Sequence, residues 1–172
     1  MKLPNIIITG TPGSGKTSHA EEFVSRHPEF KHINVSEYAK LNGCIEGYDK
    51  DRDSSIVDED KLLDLLEPLA NKGGIVIDWH CCEIFPERWI DLVVVIRCDN
   101  SILYDRLVNR GYSENKISEN IECEIMCVLL FEAQENYNKQ IVVELHSEDL
   151  NMLDNNIDRL DQWLNNWLDN NN

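Results

Sequence analysis

Eight consecutive residues, Gly10-Thr11-Pro12-Gly13-Ser14-Gly15-Lys16-Thr17, could do chemistry at once. Two glycines with four residues between them, then lysine and a hydroxyl residue, are the spacing of a phosphate-binding loop. Gly10, Gly13 and Gly15 let the backbone take conformations closed to residues with a Cβ, so successive N–H groups can turn inward. Such a nest binds anions, and a helix starting behind it adds partial positive charge. In that geometry Lys16 reaches the β- and γ-phosphates of a nucleotide and the Thr17 hydroxyl ligates Mg²⁺. Gly13, Ser14, Gly15, Lys16 and Thr17 are therefore candidate nucleotide-phosphate residues.

A second group lies further along. Gly74-Ile75-Val76-Ile77-Asp78 reads as a buried strand that ends in an acid. A carboxylate there can hold Mg²⁺, directly or through water, so Thr17 and Asp78 are the candidate metal residues. His80 follows two positions on, on the same side of an extended backbone. It is a candidate for catalysis or water positioning; the alternative is a structural histidine bonded to a nearby carbonyl. Four arginines complete the set: Arg88, Arg97, Arg106 and Arg110. Arg106 and Arg110 are four apart and share a helix face. Each could be a surface ion pair, but several converging on a phosphate loop would suit phosphoryl transfer.

These residues need elements to position them. Asn5–Thr9 is a short β-branched run before the loop, and 16–24 carries an apolar stripe at Ala20, Phe23 and Val24. Strand, glycine loop and helix thus follow in the order the loop requires. A second strand is expected at His32–Val35, followed by a short helix capped by Ser36 and ended at Asn42-Gly43. Residues 46–55 are polar and aperiodic and read as a long loop. A leucine-rich helix opens at Asp58-Glu59-Asp60 and stops at Gly73-Gly74. Leu92–Ile96 is a fourth strand, buried on both faces. Asp99-Asn100 caps a helix to Arg110. One long helix is expected from Ser118 to Asn138, with Cys123 and Cys127 on one face. Ile141–Val143 is a fifth strand, and leucines at helical spacing from Leu150 to Leu168 mark a final amphipathic helix. Strands alternating with helices imply a single α/β domain, a three-layer sandwich on a five-stranded, mostly parallel sheet. Ligands bind such a sheet at its carboxyl edge, where the phosphate loop, Asp78 and Arg97 are expected.

Composition narrows the function. A chain of 172 residues with a formal charge of −16 repels nucleic acid over long range and suits a basic protein partner. Its six cysteines form no C-x-x-C pair and read as reduced thiols of an intracellular protein. No secretory signal or membrane-spanning run is legible. A guanine-specific GTPase would carry Asn-Lys-x-Asp and Asp-x-x-Gly; neither occurs, and Asn71-Lys72 is followed by two glycines.

Beyond these separate motifs, the chain resembles the adenylate kinase isoenzyme 6 family, small nuclear adenylate kinases that double as ribosome-assembly factors. The resemblance runs from Pro4 through the phosphate loop, Ile33-Asn34-Val35, Glu46-Gly47-Tyr48-Asp49, Val57–Asp60 and Ile75–His80. It continues through Phe85-Pro86-Glu87-Arg88-Trp89, Leu103–Leu107, Arg110-Gly111-Tyr112 and Asn120–Ile125, nearly the whole chain. The Asp-x-His after the third strand and the Phe-Pro-Glu-Arg-Trp run are its specific parts.

The resemblance implies a nucleoside monophosphate kinase of the P-loop type. ATP phosphates and Mg²⁺ would sit on Gly13, Gly15, Lys16, Thr17 and Ser18. Residues 34–57 would form the monophosphate segment, with Asn34, Lys40 and Arg88 toward the acceptor. Residues 109–119 would be a short lid whose Arg110 contacts ATP, with Arg106 against the adenine. Lys16, Asp78, His80 and Arg110 would be the catalytic group, Asp78 and His80 being tied to ATP hydrolysis. Activity would be ATP + AMP to two ADP, plus ATPase. A basic small-subunit ribosomal protein would be the partner, the chain a monomer, and its locations nucleus and cytoplasm. The family often has arginine where this chain has Lys40; lysine offers a phosphate a point charge rather than a fork. Two rivals to the kinase reading are an ATP-driven assembly switch and a small-molecule kinase of the gluconate or shikimate type.

Overall fold

The computed structural model describes all of residues 1–172. Five strands form one parallel sheet: β1 (Ile6–Gly10), β2 (Lys31–Asn34), β5 (Ile75–Asp78), β6 (Leu92–Arg97) and β7 (Val142–His146), in the spatial order β2-β5-β1-β6-β7. β1 lies at the centre, between β5 and β6. Ile8 stands beside Asp78 on one side and Val94 on the other. Period-two alternation sends neighbouring side chains to opposite faces. Ile7, Ile77, Val93 and Val95 therefore pack with Leu62 and Leu66 of α3 (Glu59–Lys72) and Ala133 of α6 (Val128–Asn136). Ile6, Ile8, Val76 and Val94 pack on the other face with Phe23 of α1 (Lys16–Arg26) and with Ile157, Leu160 and Leu164 of α7 (Leu150–Asn171). The expected three layers are present. Solid strands buried on both faces are what a parallel sheet requires.

Three expectations change. Residues 46–55, read as a loop, lie largely in an antiparallel hairpin, β3 (Ile45–Asp49) and β4 (Ser54–Val57). Most of its residues are half-buried or exposed, so no apolar alternation marks it in the sequence. Its turn is held by Asp49 Oδ1, which accepts from the N–H groups of Asp51 and Arg52. The cap of α2 (Val35–Leu41) is Asn34 rather than Ser36; its side chain accepts from the Glu37 N–H.

The long helix expected at 118–138 is two helices. α5 (Glu114–Ile125), capped by Ser113, ends at Met126, and α6 begins after Cys127, which sits at φ 54°. Cys123 and Cys127 therefore do not share a helix face. Neither glycine nor proline announces the break. It is stabilised from another element: Arg97 Nη2 donates to the Glu124 carbonyl at 2.9 Å and Nη1 contacts Cys127 Sγ at 3.2 Å. All six cysteines are free thiols. No helix is long and apolar enough to cross a membrane.

Candidate active site

The phosphate loop leaves β1 at the sheet's carboxyl edge and feeds α1. Gly15 is at φ 110°, where a side chain is strained. At Gly10 a Cβ would meet the Ile96 carbonyl oxygen at 2.7 Å, so β6 can lie against the loop only because nothing larger stands there. Ser14 is buried within the loop, while Ser18 is exposed in the first turn of α1.

Thr17 and Asp78 meet behind this loop, and Lys16 folds back onto it. Thr17 Oγ1 donates to Asp78 Oδ2 at 2.7 Å. Asp78 is 3 % exposed and ends β5, one strand from β1. The two expected metal residues are thus in direct contact. Both offer hard oxygen donors, one of them a carboxylate, which suits a Mg²⁺ that keeps most of its shell as water and phosphate oxygen. Lys16 Nζ donates to the Gly10 carbonyl at 3.1 Å. Loss of surrounding water pushes its pKa down to about 8; Asp78 opposes that fall and Arg110 adds to it. A polyphosphate would supply the countercharge this ammonium lacks.

His32 was not singled out from the sequence. Its Nε2 lies 3.0 Å from Asp78 Oδ2, the oxygen Thr17 uses. It reaches there because β2 pairs with β5 in the register Asn34↔Asp78, and His32 is two residues before Asn34 on the same face. The type was visible, but the pairing of β2 with β5 was not.

His80 sits just past β5 with its ring edge-on to Trp79 at 5.2 Å. It has solvent access, yet crowding around the ring pushes its pKa down to about 4, helped by the Lys16 and Lys116 cations. The ring is neutral at pH 7 and keeps a lone pair to accept a proton. Asp78 and His80 both lie within electrostatic reach of Lys16.

The arginines divide. Arg106 of α4 (Asn100–Asn109) and Arg110 beyond it line an open cleft of about 500 Å³ with Gly13, Gly15, Asn109 and Ser147. Arg106 Nη1 contacts the Gly13 and Ser14 carbonyls at 3.3 Å, and Nη2 contacts that of Glu148 at 3.2 Å. It thereby ties the loop to the segment before α7. That segment, 147–149, was missed as a cleft wall because nothing in its composition marks it.

Arg97, expected at the carboxyl edge beside the phosphate loop, is there but engaged with carboxylates. Its Nε donates to Glu124 Oε1 and its Nη1 lies 3.6 Å from Glu144. Burial opposes its charge, but Glu124 outweighs burial and holds the pKa above the ordinary arginine value. Arg88 donates to exposed Glu67 at 2.8 Å and lies over the Trp89 ring. Asn34 is committed to its cap, and Lys40 stands exposed in the last turn of α2. Lys16, Thr17 and Asp78 thus gather at the loop and Arg106 and Arg110 at the cleft beside it; Asn34 adjoins them only as the strand neighbour of Asp78, and Lys40 and Arg88 make no bond to them.

One further histidine supports the loop. His19 is fully buried, and its Nδ1–H donates to the Gly15 carbonyl at 2.7 Å. Its Nε2 then accepts from Asn156 Nδ2 of α7 at 3.1 Å. Burial lowers its pKa, and this pairing needs the neutral ring.

Residues 6–127 match the family model of an AAA domain. By shape the chain is similar to shikimate kinase from Bacteroides thetaiotaomicron, with TM-score 0.60 and 17% identity over 94% of this chain and 98% of that one. It is also similar to a gluconokinase from Sinorhizobium meliloti, with TM-score 0.56 and 16% identity over both full chains. At that identity they show a shared P-loop kinase fold. By sequence it is 56% identical to an adenylate kinase isoenzyme 6 homolog of Candida albicans, over 94% of this chain and 68% of the relative. It is 52% identical to the homolog of Saccharomyces cerevisiae, over 96% and 84%. A phosphate loop with its Thr17–Asp78 pair, on this sheet order and at this identity, makes the chain a member of the adenylate kinase isoenzyme 6 family.

Proposed function

We propose that the protein is a Mg-ATP-dependent nucleoside monophosphate kinase, converting ATP and AMP to two ADP, with ATPase activity of its own. The observation that carries this reading is the Thr17–Asp78 bond at the carboxyl edge of β1 and β5, with Lys16 folded back onto the Gly10 carbonyl of the same loop.

Transfer between phosphates asks little covalent chemistry of a protein, because the attacking oxygen already belongs to a phosphate and needs no general base. The work is positioning and charge stabilisation. The loop N–H groups and Lys16 would hold the ATP phosphates, and Arg110 would approach them from the lid. Arg106 and the 147–149 segment would border the nucleoside. Thr17 and Asp78 would hold Mg²⁺, which when bound supplies a Lewis acid for the phosphate oxygens. Lys40 and Arg88 would bind the acceptor phosphate; for Arg88 that means exchanging Glu67, an exposed partner of small energetic value. Arg97 has no part in the reaction on this reading.

A second role is favoured by His80. Phosphorylating AMP needs no residue of its kind, but a neutral imidazole within electrostatic reach of Lys16 can orient a water by accepting its hydrogen bond. With a formal charge of −16, the surface suits a basic small-subunit ribosomal protein. ATP hydrolysis would then drive release of that partner during maturation of the small ribosomal subunit, with the protein acting as a monomer in nucleus and cytoplasm.

The deciding experiment is ADP formation from Mg-ATP by the purified protein, with and without AMP. A large AMP-dependent rise is expected. Slow ADP release indifferent to AMP would overturn the kinase reading and leave the ATPase switch.

A further inference from the structure

We propose that α5 is a strut that sets the spacing between the phosphate loop and the β3–β4 hairpin, with Glu124 and Lys116 as the positioning residues at its two ends. The two lie eight residues apart, about 12 Å along the helix axis.

At one end Glu124 is 3 % exposed. Its Oε2 accepts from Thr11 Oγ1 of the phosphate loop at 2.6 Å, and its Oε1 accepts from Arg97 Nε and from the Cys98 N–H. A buried carboxylate is costly unless every lone pair is engaged, and here both oxygens are. Glu124 is the side chain through which α5 bonds the loop.

At the other end Lys116 Nζ donates to the Asp53 carbonyl at 2.8 Å and lies 4.2 Å from the Tyr112 ring centroid. No carboxylate pairs with it, in a chain with 32 acids. Asp53 is the last residue of the hairpin turn, at φ 48°. The hairpin's base is closed by Asp58 N–H to the Cys44 carbonyl and anchored by Lys61 Nζ to the Gly43 carbonyl and by Ile45 and Val57 against the core. Its tip is met by Lys116. A two-stranded ribbon alone is marginally stable, so this contact decides where the tip lies. If residues 34–57 receive the acceptor, as proposed above, α5 transmits the position of the loop that holds the donor to the segment that holds the acceptor.

The test uses the full-length chain and three variants: Lys116→Met, Lys116→Arg and Thr11→Val, the last leaving the Glu124–Arg97 pair intact. Hydrogen exchange of residues 45–57 without nucleotide reads the strut directly. Exchange should quicken in Lys116→Met and return close to wild type in Lys116→Arg, which keeps a donor and a ring contact. It should also quicken in Thr11→Val, although Thr11 bonds no hairpin residue. Unchanged hairpin exchange in either Lys116→Met or Thr11→Val overturns the proposal.

Kinetics read the consequence. Lys116→Met should raise KM for AMP about tenfold, the loss of one charge-assisted bond, and by more than it raises KM for ATP. Equal rises in both would overturn the link to the acceptor. Absence of AMP-dependent activity in the wild type would refute the kinase reading but leave the exchange experiment valid, so the two failures are distinguishable.

Discussion

Lys16 is held where its charge is disfavoured until a polyphosphate arrives. With its pKa near 8 against 10.5 for free lysine, the folded chain binds fewer protons between those values. Stability therefore rises with pH across that window, and at pH 7 the penalty is present in full. Lys16→Met should melt higher than wild type at pH 7 without nucleotide, with the gap closing toward pH 10, while ADP formation falls at least about 100-fold. Thermal melts and a steady-state assay check both halves. His80 runs on the acid side. Its folded pKa, about 4, is below the unfolded value of 6.5, so the unfolded chain takes up the proton first and stability falls as pH drops from 6.5 to 4. His19 shifts in the same direction. His80→Gln should lose less melting temperature than wild type between pH 7 and pH 5, and should hydrolyse ATP more slowly without AMP while keeping AMP-dependent ADP formation. An identical pH profile would remove His80 from the acid lability.

At the scale of elements, the loop depends on a helix from the other end of the chain. Asn156 of α7 donates to His19 and to the His146 carbonyl, joining α1, β7 and α7 around the loop's first helical turn. Asn156→Ala leaves a buried imidazole nitrogen and a carbonyl without donors. It should cost about 1–3 kcal/mol in denaturant unfolding and weaken ATP binding more than AMP binding. A change confined to stability would make Asn156 a packing residue alone. None of this was legible in the sequence. The apolar stripe of α7 was, because burial writes a period into the chain, and its leucines do pack on the sheet. A single asparagine on that stripe's edge writes none. The hairpin and the α5–α6 break escaped for related reasons: one packs only Ile45 and Val57, partly buried, against the core, and the other is held by an arginine 30 residues away.

For the whole molecule, a formal charge of −16 on 172 residues means the folded state works against its own repulsion. Salt screens this over a Debye length of about 8–10 Å near physiological ionic strength. The melting temperature should therefore rise as NaCl goes from low to a few hundred millimolar. A flat response would mean that the local pairs, such as Arg26 with Asp154, Asp158 and Asp161, already balance the field.

The phosphate loop, the acid at the end of the third sheet strand and the chain order of the five sheet strands were legible in the sequence, and with them the parallel α/β sandwich. These are local: a glycine spacing, a β-branched run and a helical period each lie within a short stretch of chain. Where each charge is used was settled by packing between distant segments. Arg97 and Arg106 were both candidates beside the phosphate loop, but one is claimed by buried Glu124 and the other braces the loop carbonyls at the cleft wall. His32 joined the site only because β2 pairs with β5. An ion pair or a strand register joins residues distant in sequence, and its energy depends on burial and distance, neither of which is a property of the residue type.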